Sequence, residues 1–541
     1  MWIGLLYGMV SLAALTSDAS ETIGGIDPEQ QTIQIRLYRQ KVVHCLVAGE
    51  WTNGGPHALE TMIHYLYIEF SLRADADKDV WYLLTLEANL AIRMGYHRDP
   101  RNFRGITPLQ AEMRRRVWAT VVMGDVLLST QMGMPRIISD RQCDTAEPSN
   151  YNDTDLDETM TVLPLPRPES ETTTALGLIA RKRLLDALGA VSELTASAKP
   201  CAYAEVLRVD SILHAAAASI PEPLKMKDMT ASITDSPQII MARLFLSVLL
   251  HKGQNMLHRR YLYAESLSVN EDTYAYSRKA CLDSGLEILR VQQILDEETG
   301  PGGQLQTMRW RVSSILNHQF LTATMILCSS IYRDQTLDRK DELLAALRTA
   351  RAIWLRSNTS SREVQIASRV LNTVLARASE SRTSDLSTDK QIPPAGIQVA
   401  DPYMSTFGPG EASVFTENGQ PFFPGAEPMF DGKLMSPRPW RLLLAECIAS
   451  AAPPIPTKPL RACIAARYLM SKVLIDARPI LVRNEFRTAL SATGLRDKQP
   501  RSLCRWRTVG WLDAVEITRT GLVAMMRLAV GRLHQLRHCL T

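Results

Sequence analysis

The sequence has 541 residues, of which 45% are hydrophobic and 22% charged, with a formal net charge of +4. This composition predicts a soluble globular protein with a large core, built as two to four domains or as one large helical array. No segment has the ~20 apolar residues of a membrane-spanning helix, so no membrane partner is expected. From residue 433 onward the sequence contains 19 Lys and Arg but only 6 Asp and Glu, so the tail is basic and the body acidic.

The chain opens on a short apolar run. Residues 2–15 read WIGLLYGMVSLAAL, and no Lys or Arg precedes the run, as a secretory signal peptide would require. The run is therefore interpreted as a core helix. Because it has no N-terminal cap, we expect that a preceding segment is missing from the sequence.

Two amphipathic helices follow. Apolar residues recur at helical spacing from Leu59 to Phe70 and again from Val80 to Met94. Gly95 is predicted to cap the end of the second helix, and Pro100 is predicted to stop it.

A His97-Arg98-Asp99 group lies just before Pro100. Such a group could form a catalytic or sensing cluster. A structural role is favoured, since cations stabilise the C-terminal end of a helix and an Asp before a proline initiates a turn. We therefore predict that these side chains hold the turn.

A third helix is predicted from Thr107-Pro108, a good cap and first-turn pair, to the Gly133-Met134-Pro135 turn. Its apolar stripe includes Trp118 and, unusually, Asp125. A buried carboxylate must be paired or hydrogen-bonded, and we favour a structural ion pair over a catalytic carboxylate. The expected partner is one of three consecutive arginines: Arg114, Arg115 or Arg116.

The rest of the body is also predicted to be helical. Residues 148–173 are rich in Pro, Thr, Asp and Glu, which indicates a long loop or a disordered link. No stretch alternates with period two, so the predicted fold is all-α, a large array of packed helical hairpins. Helices are predicted at 174–195, 201–220, 237–263, 270–297, 309–333 and 340–358.

Three domains are predicted along the chain. Residues 1–375 form the helical body. Ser, Thr, Pro and Gly accumulate in residues 379–435, which predicts a flexible, disordered linker. Residues 436–541 form a basic tail rich in Arg, Ala and Leu, whose structure the sequence does not define.

No catalytic, cofactor-binding or metal-binding residue is assigned. The nine cysteines are dispersed, and none has the spacing of a zinc knuckle. The motifs of serine hydrolases, zinc proteases, P-loop nucleotide hydrolases and dinucleotide-binding domains are absent from the sequence. We therefore predict that the protein is not an enzyme.

A series of short motifs carries a resemblance to a known family. Together they resemble, in order and spacing, the fungal-specific transcription factor domain, which is the middle homology region of the fungal zinc binuclear-cluster (six-cysteine) transcription factors. The resemblance extends over residues 1–375. The motifs are Tyr38–Trp51, Gly54–Glu69, Glu87–Ala91 with Met94–Pro100, Arg114–Trp118 with Asp125, Gly133–Pro135 with Asp140, Pro148 and Asp155, Met256–Leu262 and Ile315–Cys328.

The resemblance implies a nuclear regulator of RNA polymerase II transcription, of a metabolic or secondary-metabolite pathway. It implies structural roles for Gly95, His97, Arg98, Asp99, Pro100, Arg116, Trp118, Asp125, Gly133 and Pro135. In complete family members an N-terminal six-cysteine cluster binds zinc and contacts DNA. That cluster is missing from this sequence, so DNA is an expected partner only if the cluster is supplied. A homodimer or heterodimer with zinc-cluster regulators and a small-molecule effector are further implied partners.

Two alternatives stay open. The chain could be a helical interaction protein that regulates transcription only by pairing with an intact homologue. It could also be a ligand-binding or catalytic helical domain, which predicts an apolar cavity with a few convergent polar groups.

Overall fold

The computed structural model describes residues 1–16, 28–75, 78–199, 201–264, 272–357 and 361–385. Within these ranges the chain is all-α, as predicted, and has no β-strand. No described helix is long and apolar enough to cross a membrane. The predicted basic tail lies outside the described residues, as does the predicted linker from residue 386 onward.

Twelve α-helices account for most of the described residues. They are α1 (Trp2–Thr16), α2 (Pro28–Ala48), α3 (Ala58–Ser71), α4 (Lys78–Arg93), α5 (Pro108–Met132), α6 (Leu176–Thr195), α7 (Tyr203–Ala218), α8 (Pro237–His258), α9 (Ala275–Glu298), α10 (Ser314–Tyr332), α11 (Lys340–Arg356) and α12 (Arg362–Asp385). The described residues divide into two compact units, with the boundary after Tyr65 inside α3.

The first unit is built on an antiparallel hairpin of α1 and α2. The rings of Tyr7 and Tyr38 stack with their centroids 6.0 Å apart, and Gln31 Nε2 donates to the carbonyl of Ala14 at 2.7 Å. Leu5 and Leu12 are buried. The apolar run at residues 2–15 is therefore a packed helix, as the sequence analysis expected.

The second unit is an array of helices in which neighbours along the chain pack side by side. α4 packs on α5, α5 on α6, α6 on α7 and α8, α8 on α9, and α9 on α10. The fully buried Phe320 of α10 and Trp354 of α11 are among its largest core side chains. The predicted architecture of packed helical hairpins is confirmed.

The last described helix, α12, was not among the predicted elements. It runs from Arg362 to Asp385 and so continues into the stretch predicted as a linker from residue 379. Four of its side chains at helical spacing are buried: Val364, Ala367, Leu371 and Val374. Its first turn is capped by a residue that is far away in sequence. Asp75 accepts hydrogen bonds from the backbone amides of Arg362 and Glu363.

Residues 148–173 lie between α5 and α6 and have a loop conformation. The only helical element of this loop is a single 3-10 turn at Asp153–Asp155. The loop is closed by Asn150, whose Nδ2 donates to the carbonyls of Arg167 at 3.2 Å and Pro168 at 2.9 Å. These bonds satisfy backbone acceptors that no helix or sheet would otherwise satisfy.

Candidate functional site

Asp99 is the centre of the turn that joins α4 to α5. It caps the 3-10 turn at Pro100–Asn102 by accepting a hydrogen bond from the amide of Arg101 at 3.0 Å. The guanidinium of Arg115 donates to both of its carboxylate oxygens at 3.1 Å, and the amide of Ala146 donates at 3.0 Å. Burial raises the pKa of Asp99, but the bonds from Arg115, Ala146 and Arg101 outweigh it and hold the pKa below the usual range.

Arg98 fastens the same turn to the segment after α5. Its Nε and Nη2 each donate to Asp144 at 3.0 Å, in a bidentate pair. Asp144 also accepts from the amide of Asp99 at 2.7 Å. The ring of His97 lies against that of Trp118, with the centroids 6.3 Å apart. The group therefore holds a turn, and it forms no arrangement of nucleophile and base.

Gly95 makes the sharp end of α4 possible. Its φ is +75°, a region that side chains with a Cβ rarely adopt, and a Cβ there would lie 3.1 Å from Phe103 Cζ. The neighbouring Arg114 closes the turn, with its guanidinium 4.1 Å from the centroid of the Tyr96 ring and a 2.9 Å bond to the carbonyl of Met94.

Arg116 joins α5 to the long loop from inside the core. It is 3% exposed and donates to Glu112 at 3.0 Å, to Asp153 at 2.7 Å and to the carbonyl of Tyr151 at 3.2 Å. Glu112 is fully buried and also accepts from the amide of Ser149 at 3.2 Å. Both residues of this pair therefore help to hold the loop on the helix.

Asp125 is buried, as the sequence analysis predicted, but its predicted partner is wrong. It accepts from the amides of Ile137 and Ile138, each at 3.0 Å, and its charged partner is Arg136, with Nε 3.7 Å away. Arg116 lies nine residues earlier on the same helix, which at 1.5 Å per residue is about 14 Å, beyond the reach of a side chain.

The turn at Gly133–Pro135 brings these amides back onto α5. Gly133 has a φ of +64° and ends the helix by donating to the carbonyl of Ser129. Pro135 follows where a helix cannot continue, and Ile137 and Ile138 then reach Asp125. The predicted turn at Gly133–Pro135 thus positions the two amides that bind the predicted buried carboxylate of Asp125.

Glu87 of α4 is a second buried carboxyl, and its burial was not predicted from the sequence. It is fully buried, and neither of its oxygens has a hydrogen-bond partner among the described residues. Burial, followed by the negative charge of Asp125, raises its pKa well above the usual range. The raised pKa favours the protonated form of Glu87, while Asp125 keeps its hydrogen-bond donors.

The described residues do not fit a zinc site. No group of three His, Cys, Asp or Glu side chains among them could hold a metal ion. The described cysteines are free thiols, of which Cys281 and Cys328 are buried, and burial raises the pKa of both. No chemical step through a metal follows from this part of the chain.

Comparison with known proteins assigns this architecture to a family. Residues 4–260 match the family model described as the fungal specific transcription factor domain. This chain carries that domain. The matched range includes every predicted structural motif residue from Gly95 to Pro135, and the resemblance is confirmed over this range; the motif Ile315–Cys328 lies outside it.

Curated relatives agree with the domain assignment. The chain is 38% identical over 403 residues to the Zn(2)-C6 fungal-type transcription factor mpsB of Macrophomina phaseolina, which covers 72% of the chain and 54% of the relative. It is 38% identical over 430 residues to the Zn(2)-C6 fungal-type transcription factor pigI of Monascus ruber, covering 76% of the chain and 51% of the relative.

A third relative is the fusarisetin A cluster transcription factor fsa6 of a Fusarium species. It is 36% identical over 452 residues, covering 80% of the chain and 58% of the relative. The chain thus spans about half the length of the curated relatives it matches. No solved structure matches the chain.

We predict that Arg116→Met destabilises the fungal transcription factor domain by about 3–5 kcal/mol, because it leaves Glu112 buried without its partner. The measurement is the free energy of unfolding in urea. The matched control is Arg104→Met at an exposed arginine. The double variant Arg116→Met, Glu112→Gln should recover part of the loss, and equal losses in the single and double variants would argue against a coupled pair.

We predict that Glu87→Gln stabilises the protein at pH 7–8. The folded state keeps the proton on Glu87 where the unfolded state releases it, so stability falls as pH rises from the ordinary Glu range towards the raised pKa. The glutamine variant removes this slope. Urea unfolding at pH 5, 7 and 8.5 tests it, with Glu158→Gln at an exposed glutamate as control. If the free energy of unfolding of Glu87→Gln depends on pH as steeply as that of the wild type, Glu87 is not the group responsible.

Proposed function

We propose that the chain is the regulatory part of a nuclear regulator of RNA polymerase II transcription that controls a secondary-metabolite pathway. The observation that carries the proposal is the family domain over residues 4–260. Support for the pathway comes from relatives named for the fusarisetin A and equisetin clusters.

DNA contact is proposed to require a zinc cluster from outside the described residues. Two relatives carry Zn(2)-C6 in their names, whereas no described group of this chain could hold a metal ion. The cluster would be supplied by the same polypeptide or by an intact homologue paired with this chain. In both cases the helical array is the part that senses or relays a signal.

A reporter assay tests the regulatory function. We expect the full chain, fused to an unrelated DNA-binding domain, to change transcription from that domain's own site by about fivefold or more. A fusion that carries Arg116→Met should lose the effect, because the loop is released from α5, whereas Arg104→Met should keep it. If the wild-type fusion is stable and nuclear but leaves transcription unchanged, the proposed function is wrong.

Response to a small anionic effector is a second candidate function, and Lys252 of α8 is the observation that favours it. Lys252 is 3% exposed, and its Nζ has no hydrogen-bond partner among the described residues. Asn255, one turn further on, is 2% exposed, and its Nδ2 likewise has none. Two buried donors on one helix face would both be satisfied by a carboxylate ligand.

Burial, followed by the charge of Arg259, lowers the pKa of Lys252 to about 7. The unfolded state therefore binds more protons between pH 7 and the ordinary lysine range, and stability rises with pH through that window. A bound carboxylate would favour the ammonium form and reverse this effect.

We predict that Lys252→Met raises the melting temperature at pH 7 and abolishes the rise in stability between pH 7 and pH 9.5. Benzoate and succinate, the probes, should raise the melting temperature of the wild type and leave that of Lys252→Met unchanged. Lys225→Met, at an exposed lysine, is the control. Equal shifts in the wild type and Lys252→Met would rule out binding at Lys252, and no shift in either would rule out the carboxylate class.

A further inference from the structure

Residues 163–168 have a backbone that their sequence restricts at every position. They read Leu-Pro-Leu-Pro-Arg-Pro, so each residue either is a proline or precedes one. A proline ring fixes φ near −65°, and the residue before a proline is driven from the helical to the extended region. The segment has no helix or strand, and no described peptide bond is cis. This pattern indicates a short polyproline II helix.

The segment is held in place by the loop around it. Tyr151 donates its hydroxyl to the carbonyl of Pro164 at 2.6 Å, and the amide of Arg167 donates to the carbonyl of Asn150 at 3.0 Å. Arg167 also forms a bidentate pair with Asp155, both distances being 2.8 Å. The polyproline helix is therefore presented in one orientation by the same loop that Arg116 fastens to α5.

Three-residue periodicity places one apolar edge of this helix in solvent. A polyproline II helix has three residues per turn, so Leu165 and Pro168 lie along the same edge, and Val162 lies in the bend that precedes the segment. Leu165 is 92% exposed and Val162 77% exposed, the two highest values among the large hydrophobic residues described. A single exposed leucine is ordinary, but an exposed apolar edge on a backbone that is already ordered is typical of a recognition segment.

We propose that residues 162–168 are a docking segment for a partner protein domain with an aromatic-lined groove of the WW type. Such grooves bind polyproline II helices by packing aromatic rings against their apolar edge. Because the prolines and the bonds from Tyr151 and Asn150 order the segment before it binds, little conformational entropy is lost on docking.

The charges around the segment are largely balanced within the chain. Of the six Asp and Glu in residues 153–171, four pair with arginines: Asp153 with Arg116, Asp155 and Glu171 with Arg167, and Glu169 with Arg183. Because Arg167 is already paired, the partner does not need an acidic residue to receive it, and its contact with the segment is expected to be mainly apolar.

Docking at residues 162–168 is a property beyond the proposed function and does not depend on it. The docking segment would bind its partner whether or not the chain regulates transcription. If the chain both regulates transcription and binds this partner, the partner would link the helical array to other regulatory proteins.

Binding of the full chain to a panel of purified WW domains, measured by calorimetry, tests the proposal. We expect at least one domain to bind, and the double variant Leu165→Ala, Pro166→Ala to reduce affinity about tenfold or more. Leu355→Ala, at an exposed leucine of α11, should bind like the wild type. The double variant should keep the wild-type circular dichroism spectrum, because these side chains are exposed.

Three results would overturn the proposal. The first is that no WW domain of the panel binds the full chain more tightly than about 1 mM. The second is that the double variant binds as well as the wild type. The third is that only a parallel panel of SH3 domains binds, and that this binding is lost in Arg167→Ala, since Arg167 would then be the recognised group.

Discussion

The buried charge pairs of α5 are the interaction on which the candidate site depends. Arg116 with Glu112, and Asp125 with Arg136, are removed from water and are stable only where each finds its partner. Those partners and the backbone amides beside them lie on α5 itself and on the loop after it. The loop therefore has one low-energy position on the helix, and the Asp99 turn before α5 is fixed to the same loop through Ala146.

This arrangement explains why the charged residues of the motifs form structural bonds and no arrangement that resembles a catalytic site among the described residues. Catalytic side chains must be able to meet a substrate, whereas Arg116 and Asp125 already make several bonds within the chain. The free-energy cost of burying Arg116 and Asp125 is offset only when the loop supplies its hydrogen bonds. A scaffold of this kind suits a regulatory domain, since it holds a surface segment such as residues 162–168 in a defined orientation for a partner.

Much of the local structure could be predicted because its causes lie close together in sequence. Thr107 caps α5 by accepting from the amide of Gln110 at 3.2 Å, three residues away, as the predicted cap required. Gly133 ends the same helix where the turn was predicted. The pairing of Glu112 with Arg116 carries a local signal too, because the two residues are four apart on one helix. Asp144 and Asp153, by contrast, have no local signal that links them to their arginines.

The sequence by itself determined that the protein is all-α, where most helices begin and end, and which family its motifs resemble. Helical periodicity and caps are local effects, so neighbouring residues suffice to predict them. Only the tertiary structure decided that Arg136 is the partner of Asp125, that Asp75 caps α12 and that Glu87 is buried without a partner among the described residues. Periodicity shows which face of a helix is buried, but the group that meets a buried charge comes from a distant part of the chain.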